Sequence, residues 1–389
     1  MAVRELVLGI DVCNLVSHIC YYDTTTHLAE SVPFIGNTMI LENPVSLEQI
    51  FKGLESGEPI EMEELVSLLA FLIEVAKKHC QCADIGKICI TTPEFRIGIL
   101  DGMRTACERL LYNQQKVFFI SHEESYAYYA FSMKKELWSS GVALFDYSPQ
   151  GMEACTMHMV KVKGELLVVE NRKSYTLPEL SAAFDAYGKC DLFQVDEQLT
   201  SCAKDLLEGT TSASVYLTGT GFDTDQLPDQ FLKYICSRRR VFAGQNLYVK
   251  GACYAAWEET SHERFINVTF GCHNRVPVTI DLDIIERGQN KIFRAVKAGS
   301  NWYGTRRTID FILEDCTQMV LHMHPLAGRD SYDEIIDLSE IPYRANKTTR
   351  VSVSFDFTGD DRCLVTVKDK GFGEIVKSTD KVIYKTLEM

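Results

Sequence analysis

Three apolar runs in this sequence end in an acid or a glycine turn: GIDVCN at 9–14, FDYSPQG at 145–151 and LTGTGF at 217–222. A carboxylate at the mouth of a buried strand can hold a hydrated Mg²⁺, which keeps most of its waters and takes one or two protein acids. Glycine turns let backbone N–H groups approach phosphate oxygens, because no Cβ stands in the way. Asp11, Asp146, Gly219 and Gly221 therefore read as parts of a nucleotide cleft between two lobes. The simpler reading of the same acids is that each caps a turn or ends a strand. His79 with Cys80 and Cys82 offers metal-ligand atoms, but no second pair stands at ligand spacing and no metal is assigned there.

The elements that must carry these residues follow from periodicity. Leu6–Ile10 is a strand ending at Asp11, with Ile19–Tyr22 as its hairpin partner. From Glu63 to Lys78 apolar residues keep helical spacing. A strand at Ile88–Ile90, a helix with Leu100, Met103, Cys107, Leu110 and Leu111 on one face, and a strand at Val117–Ile120 come next. A tyrosine-rich helix is expected at Ser125–Met133, then strands at Val142–Phe145 and Ala154–Lys161. Helices in PELSAAF and EQLTSCAKDLLEG, a strand at Val215–Leu217 and helices near Asp229–Arg239 and Tyr248–Glu258 complete an α/β domain over 1–258. Period-two alternation then takes over in VTIDLDIIE, RRTIDFIL, TRVSVSFDF and CLVTVKD. It predicts a separate antiparallel β-sandwich over 265–389, reached through the polar stretch WEETSHER.

The net charge of −14 argues against nucleic acid and anionic membrane surfaces as partners. No apolar run is long enough to span a bilayer and no signal peptide is read at the amino terminus. The 14 cysteines are scattered, many inside apolar runs, which suits reduced thiols. The expected setting is the cytoplasm.

Two long segments add a resemblance. ICITTPEFRIGILDGMRTACERLLYNQQKVFFISHEESYAYYA, 88–130, resembles the Hsp70 segment from V-T-V-P-A-x-F to I-N-E-P-T-A-A-A-L-A-Y. LTGTGF with FAGQNLYVKGACYAA is similar to the late glycine turn and closing helix of the same actin-like domain. IPYRANKTTRVSVSFDFTGDDRCLVTVKDKGFGE, 341–374, resembles the Hsp70 substrate domain. The whole looks closest to a bacterial Hsp70-like branch of the actin/Hsp70/sugar-kinase superfamily.

The resemblance implies an actin-like, Hsp70-type two-lobed nucleotide domain with reduced insertions, then an all-β antiparallel sandwich and no helical lid. It implies ATP or ADP with Mg²⁺ as cofactor, the metal reached through water from Asp11 and Asp146. Asn14, Ser148 and Gly151 fall in the two phosphate hairpins, and Gly219 and Gly221 in the turn against adenosine. Glu123 falls on the family's catalytic glutamate, and a one-residue shift would put His122 there instead. Departures stand beside each match. The first hairpin reads Asp11–Val12–Cys13–Asn14–Leu15 where the family has D-L-G-T-T, and the second reads Asp146–Tyr147–Ser148–Pro149–Gln150–Gly151 where it has D-L-G-G-G-T. Pro149 has no N–H to donate. Asp146 to Gly219 is too short for the family's second-lobe insertion.

These departures favour a degenerate or weakly ATP-binding, chaperone-like scaffold, at most a weak ATPase, that binds a protein or peptide partner through its β half. The runner-up is an active minimal ATP-dependent chaperone. Trp302 and Tyr303 are the candidate partner anchors, with Trp302 as sandwich core the competing reading. His322 and His324 share a strand face in MVLHMHP.

Overall fold

The computed structural model describes residues 5–13, 16–33, 41–42, 47–56, 59–162, 165–224, 226–262, 264–265, 267–314, 316–326, 330–344, 347–373 and 376–389. The chain divides into two compact units, Met1–Val268 and Thr269–Met389. The first is mixed α/β and the second is built of antiparallel sheets.

Unit 1 runs through the same sequence of elements twice. The first pass is β1 (Leu6–Cys13), β2 (Val16–Asp23), β3 (Leu28–Ser31), the short β4 (Leu41–Glu42), α1 (Leu47–Ser56), α2 (Pro59–Cys80), β5 (Ile85–Thr92), α3 (Ile97–Arg109), β6 (Val117–Ser121) and α4 (His122–Ser132). The second is β7 (Val142–Ser148), β8 (Gly151–Val162), β9 (Glu165–Tyr175), α5 (Pro178–Ala182), α6 (Asp196–Leu207), β10 (Ser214–Thr218), α7 (Asp229–Ile235), β11 (Arg240–Ala243) and α8 (Leu247–Ser261). The sheets repeat the order too: β3-β2-β1-β5-β6 in one, β9-β8-β7-β10-β11 in the other. In each, three antiparallel strands come first and two parallel strands extend the far side of the leading strand.

Burial follows from that arrangement. β1 and β5 lie inside their sheet with helices over it, so β1 and the second half of β5 are buried without alternation. Tyr126 and Tyr216 meet edge to face with Tyr129 beside them, and the Tyr126 hydroxyl donates to the Ala143 carbonyl at 3.0 Å. The tyrosine cluster of α4 is therefore core packing.

The closing helices α4 and α8 approach backbone to backbone. A Cβ on Gly251 would collide with the Ser125 carbonyl, and one on Gly9 of β1 would collide with the backbone of Val249 and Cys253. The Ser125 hydroxyl donates to the Tyr248 carbonyl and ties the same two helices. At the start of α4, Ser121 accepts from the Glu124 N–H, with Glu123 and Glu124 in the first turn where the helix dipole favours acids.

β12 (Val268–Gly271) lies at the boundary of the units. Unit 2 continues with β13 (Val278–Glu286), β14 (Gln289–Val296), β15 (Arg306–Leu313), β16 (Gln318–Pro325), β17 (Tyr332–Asp337), β18 (Thr349–Phe357), β19 (Arg362–Asp369) and β20 (Val382–Glu388). One sheet has the order β14-β13-β16-β17 and the other β15-β18-β19-β20, every pair antiparallel. β18 buries alternate residues Val351, Val353, Phe355 and Phe357, as a strand with one covered face must. No helix is present among the described residues of this unit, and none in either unit is long and apolar enough to cross a membrane.

Candidate functional site

The duplicated topology puts Asp11 and Asp146 at matching places. Asp11 lies in β1 and pairs with Thr91 of β5; Asp146 lies in β7 and pairs with Thr218 of β10. The antiparallel partner of Asp11 is His18, and that of Asp146 is Glu153. His122 enters from the first position of α4, directly after β6.

The two acids expected to hold Mg²⁺ are both engaged by protein. Asp11 is 2% exposed and takes the His122 Nε2 at 2.8 Å. The His122 ring stacks on Tyr248 of α8, centroids 3.8 Å apart and planes 14° from parallel. The Tyr248 hydroxyl donates to Asp146 Oδ2 at 2.8 Å. A continuous chain, Asp11–His122–Tyr248–Asp146, thus occupies the space between the two acids.

Charge agrees with the contacts. Burial pushes Asp11 up, but His122 and His18 beside it outweigh that and hold it at about 2. Burial pulls His122 down, and Asp11, Asp146 and Glu123 together turn the shift upward. Burial raises Asp146, opposed by the Tyr248 hydrogen bond and by His122. The Tyr248 phenol is pushed well up, first by burial and then by Asp146.

The glycine turn is covered as well. Gly219 has φ +89°, donates its N–H to Gln245 Oε1 at 3.2 Å and accepts from Gln245 Nε2 at 3.0 Å. One amide side chain takes both backbone groups that would have faced a ligand. A Cβ at Gly219 would strike Asp146, and one at Gly221 would strike the Tyr147 ring. Tyr147 is fully buried, and its hydroxyl donates to the Leu180 carbonyl at 2.6 Å.

In the second hairpin, Pro149 and Gln150 form a two-residue turn between β7 and β8. The Ser148 hydroxyl donates to the Gly151 carbonyl at 3.4 Å, and Gly151, at φ +129°, packs against the Tyr175 carbonyl. These contacts lie within the hairpin and against Tyr175, and none of the four residues lines the pocket beside Asp146. Asn14 lies outside the described residues.

Glu123 makes an ion pair with Arg172 of β9 at 2.8 Å, and Arg172 also pairs with Glu153 at 3.0 Å. His122, not Glu123, is the α4 residue that reaches Asp11. The pocket lined by His122, Glu123, Asp146, Glu153, Arg172 and Tyr248 has a volume of ≈ 30 Å³. That admits a water or two. Ligand pockets for molecules of nucleotide size run to about 300 Å³ or more. In this arrangement the pocket beside Asp146 and His122 has no room for a nucleotide.

Sequence reasoning missed His18, Tyr248, Gln245 and Arg172. Register would have found His18, since a tight β1–β2 hairpin sets it opposite Asp11. Arg172 lies on a strand that alternation in ELLVVENRKSY could have signalled.

In unit 2, Trp302 is 2% exposed, with Tyr303 edge-on against it. Core packing, not partner anchoring, is the place the structure gives Trp302, whereas Tyr303 is partly exposed. His322 is held between Asp333 at 2.8 Å and Asp283 at 3.1 Å, both ring nitrogens engaged by carboxylates.

The family model described as "Family of unknown function (DUF5716) C-terminal" matches residues 45–273, more than half of the chain. The chain belongs to the DUF5716 family. A second model, "Domain of unknown function (DUF8552)", matches residues 275–389. The DUF5716 match spans β7, α4 and α8, so it contains Asp146, His122 and Tyr248, while Asp11 and His18 precede it. No match was found among curated proteins. Among solved structures the chain is similar to the inorganic polyphosphate/ATP-glucomannokinase from Arthrobacter sp. strain KM, at 9% identity and a TM-score of 0.42, covering 67% of this chain and 100% of that one. A score of that size does not carry fold or chemistry across.

One consequence is local. Tyr248→Phe keeps the ring that stacks on His122 and deletes the hydroxyl that donates to Asp146. It is expected to cost about 1–3 kcal/mol, the penalty for stripping a buried polar group of a partner. Chemical denaturation of the full chain measures it. A cost near zero would mean that water reaches Asp146 freely.

Proposed function

We propose that unit 1 is an actin-type, Hsp70-like nucleotide domain that no longer uses a nucleotide, and that the chain acts as a non-catalytic scaffold binding a protein or peptide partner through unit 2. The repeated strand order, with an acid at the same place in each sheet, supports the actin-type reading. The single observation that carries the loss of catalysis is the chain of contacts between the two acids: Asp11 is held by His122, His122 stacks on Tyr248, and Tyr248 donates to Asp146.

For the partner surface, the outer face of the β13–β14 hairpin is the best candidate. Ile285 is 60% and Ile292 71% exposed. Ile292 stands opposite Asp283, two residues from Ile285 on the same face, so the two isoleucines are diagonal neighbours. Exposed apolar neighbours of this kind suit contact with an extended apolar segment.

The test is binding of a panel of apolar peptides to the full chain, followed by fluorescence anisotropy with and without MgATP. Binding is expected, weakened at least tenfold in an Ile285→Asp, Ile292→Asp double variant, with dissociation rates indifferent to MgATP. Peptide release accelerated by MgATP would instead favour the active chaperone cycle.

A further inference from the structure

We propose that Asp11, Cys13, His18 and His122 form a binding site for a transition-metal ion of the zinc class. Ligand atoms of Asp11, Cys13 and His122 all lie within 4.8 Å of one another. The Cys13 Sγ is 3.9 Å from Asp11 Oδ2, and the His122 Nε2 is 2.8 Å from Asp11 Oδ1.

His18 is the independent observation. It is 7% exposed, and among the described residues neither ring nitrogen has a hydrogen-bond partner. Its Nδ1 stands 3.8 Å from Asp11 Oδ2. A buried imidazole with both nitrogens unsatisfied is costly, and an ion is one of the few explanations for such a group.

The fold builds the set from short-range geometry. Asp11 and Cys13 are two residues apart on β1 and share a face, His18 is the cross-strand partner of Asp11, and His122 comes from the start of α4. All of them sit at one end of one sheet.

Ligand chemistry selects the metal. Two imidazole nitrogens, one thiolate and one carboxylate are a borderline-soft set suited to tetrahedral Zn²⁺, whereas Mg²⁺ and Ca²⁺ want oxygen. With metal–ligand bonds of about 2.0–2.3 Å, the ligand atoms of a tetrahedral site are roughly 3.3–3.8 Å apart. The separations from Asp11, 2.8 Å to His122, 3.8 Å to His18 and 3.9 Å to Cys13, bracket that range, and His18 completes the set by moving toward the other three on loading. On loading, the Asp11–His122 hydrogen bond is replaced by one metal bond to each residue, the Cys13 thiol loses its proton and any imidazolium proton leaves to solvent. No nucleotide takes part, so the inference is independent of the reading of the cleft as non-catalytic.

The test is titration of the chelator-treated full chain with Co²⁺, then Zn²⁺, followed by absorption. Expected is one tight Co²⁺ per chain, with the visible bands of a tetrahedral centre, a thiolate-to-cobalt charge-transfer band, and displacement of both by Zn²⁺. Cys13→Ser, a near-isosteric change, should abolish the charge-transfer band. His18→Ala should weaken Zn²⁺ by more than about a hundredfold, beyond the roughly 10–100-fold that loss of an outer-shell partner costs. Cys82→Ser, which alters the other cysteine–histidine cluster in the sequence, should leave the spectrum unchanged. Failure to bind Co²⁺, or a charge-transfer band that persists in Cys13→Ser, would overturn the proposal.

Discussion

Alanine at Gly251 destabilises the chain by about 2 kcal/mol net in the expected result, although alanine is the better helix former. Two effects oppose each other. Gly→Ala in a helix interior is worth about 1 kcal/mol in favour of alanine. Against it, the new Cβ would occupy the place of the Ser125 carbonyl, a backbone group that cannot rotate away. Forcing α4 and α8 apart costs about 3 kcal/mol, the upper end for overpacking. The same displacement would disturb His122 on α4 and Tyr248 on α8, so the site loosens with the packing. Gly188→Ala is the control: φ is +77° and nothing lies within 4 Å, so only the left-handed penalty of about 1–2 kcal/mol applies. Equilibrium denaturation of both variants decides the matter. A neutral or stabilising Gly251→Ala would refute the close α4–α8 contact.

A second large effect belongs to unit 2. Arg344 grips Asp369 with two bonds of 2.7 and 2.6 Å, and the carboxylate is 0% exposed. Gly371 and Thr379 donate to the same oxygens. The Arg344 hydrogen bond holds the Asp369 carboxyl well below the usual carboxylate range. Removing one partner of a buried pair costs about 3–5 kcal/mol. With three other donors remaining, Arg344→Ala is expected at the low end, about 3 kcal/mol. The sign of the pH dependence follows from the depressed carboxyl. Its contribution is fully present above the unfolded carboxylate value of about 3.9 and is lost as pH falls through the lower folded value. The natural chain should therefore lose stability steeply below about pH 4, and Arg344→Ala should show a shallower loss. Parallel slopes would contradict the pairing.

Much of the architecture was legible because buried strands and amphipathic helices announce themselves by period. The β1–β2 hairpin, α2, β5, α3, β6, β7 and β10 all lie where apolar spacing places them. So does the change to alternation that becomes the antiparallel sheets of unit 2. The elements missed are short or half-exposed: β3 and β11 have four residues each, and much of β9 faces solvent, which blurs its pattern. Duplication was not legible at all, since the two halves share strand order and not residues.

The site was legible only in outline. Strand-end position marks Asp11 and Asp146, but what faces each acid is set by register and helix approach. His18 and Tyr248 come from those, and neither has a spacing signal. Trp302 left two readings open in the sequence, surface anchor or sandwich core, because alternation alone does not tell which face a conspicuous aromatic takes; at 2% exposed it is core. The pair Arg344 and Asp369 ties the approach to β18 to the end of β19, and no spacing in the sequence signals it.

The central claim is that the cleft of unit 1 is filled by its own side chains. Thermal unfolding of the full chain with and without millimolar MgATP tests it most directly. A ligand that binds only the folded state stabilises it by about 2.7 kcal/mol at a hundredfold excess over Kd. No shift in Tm is the result predicted. An upward shift that disappears in Asp146→Ala would contradict it, showing that the turn after β7 still holds a phosphate.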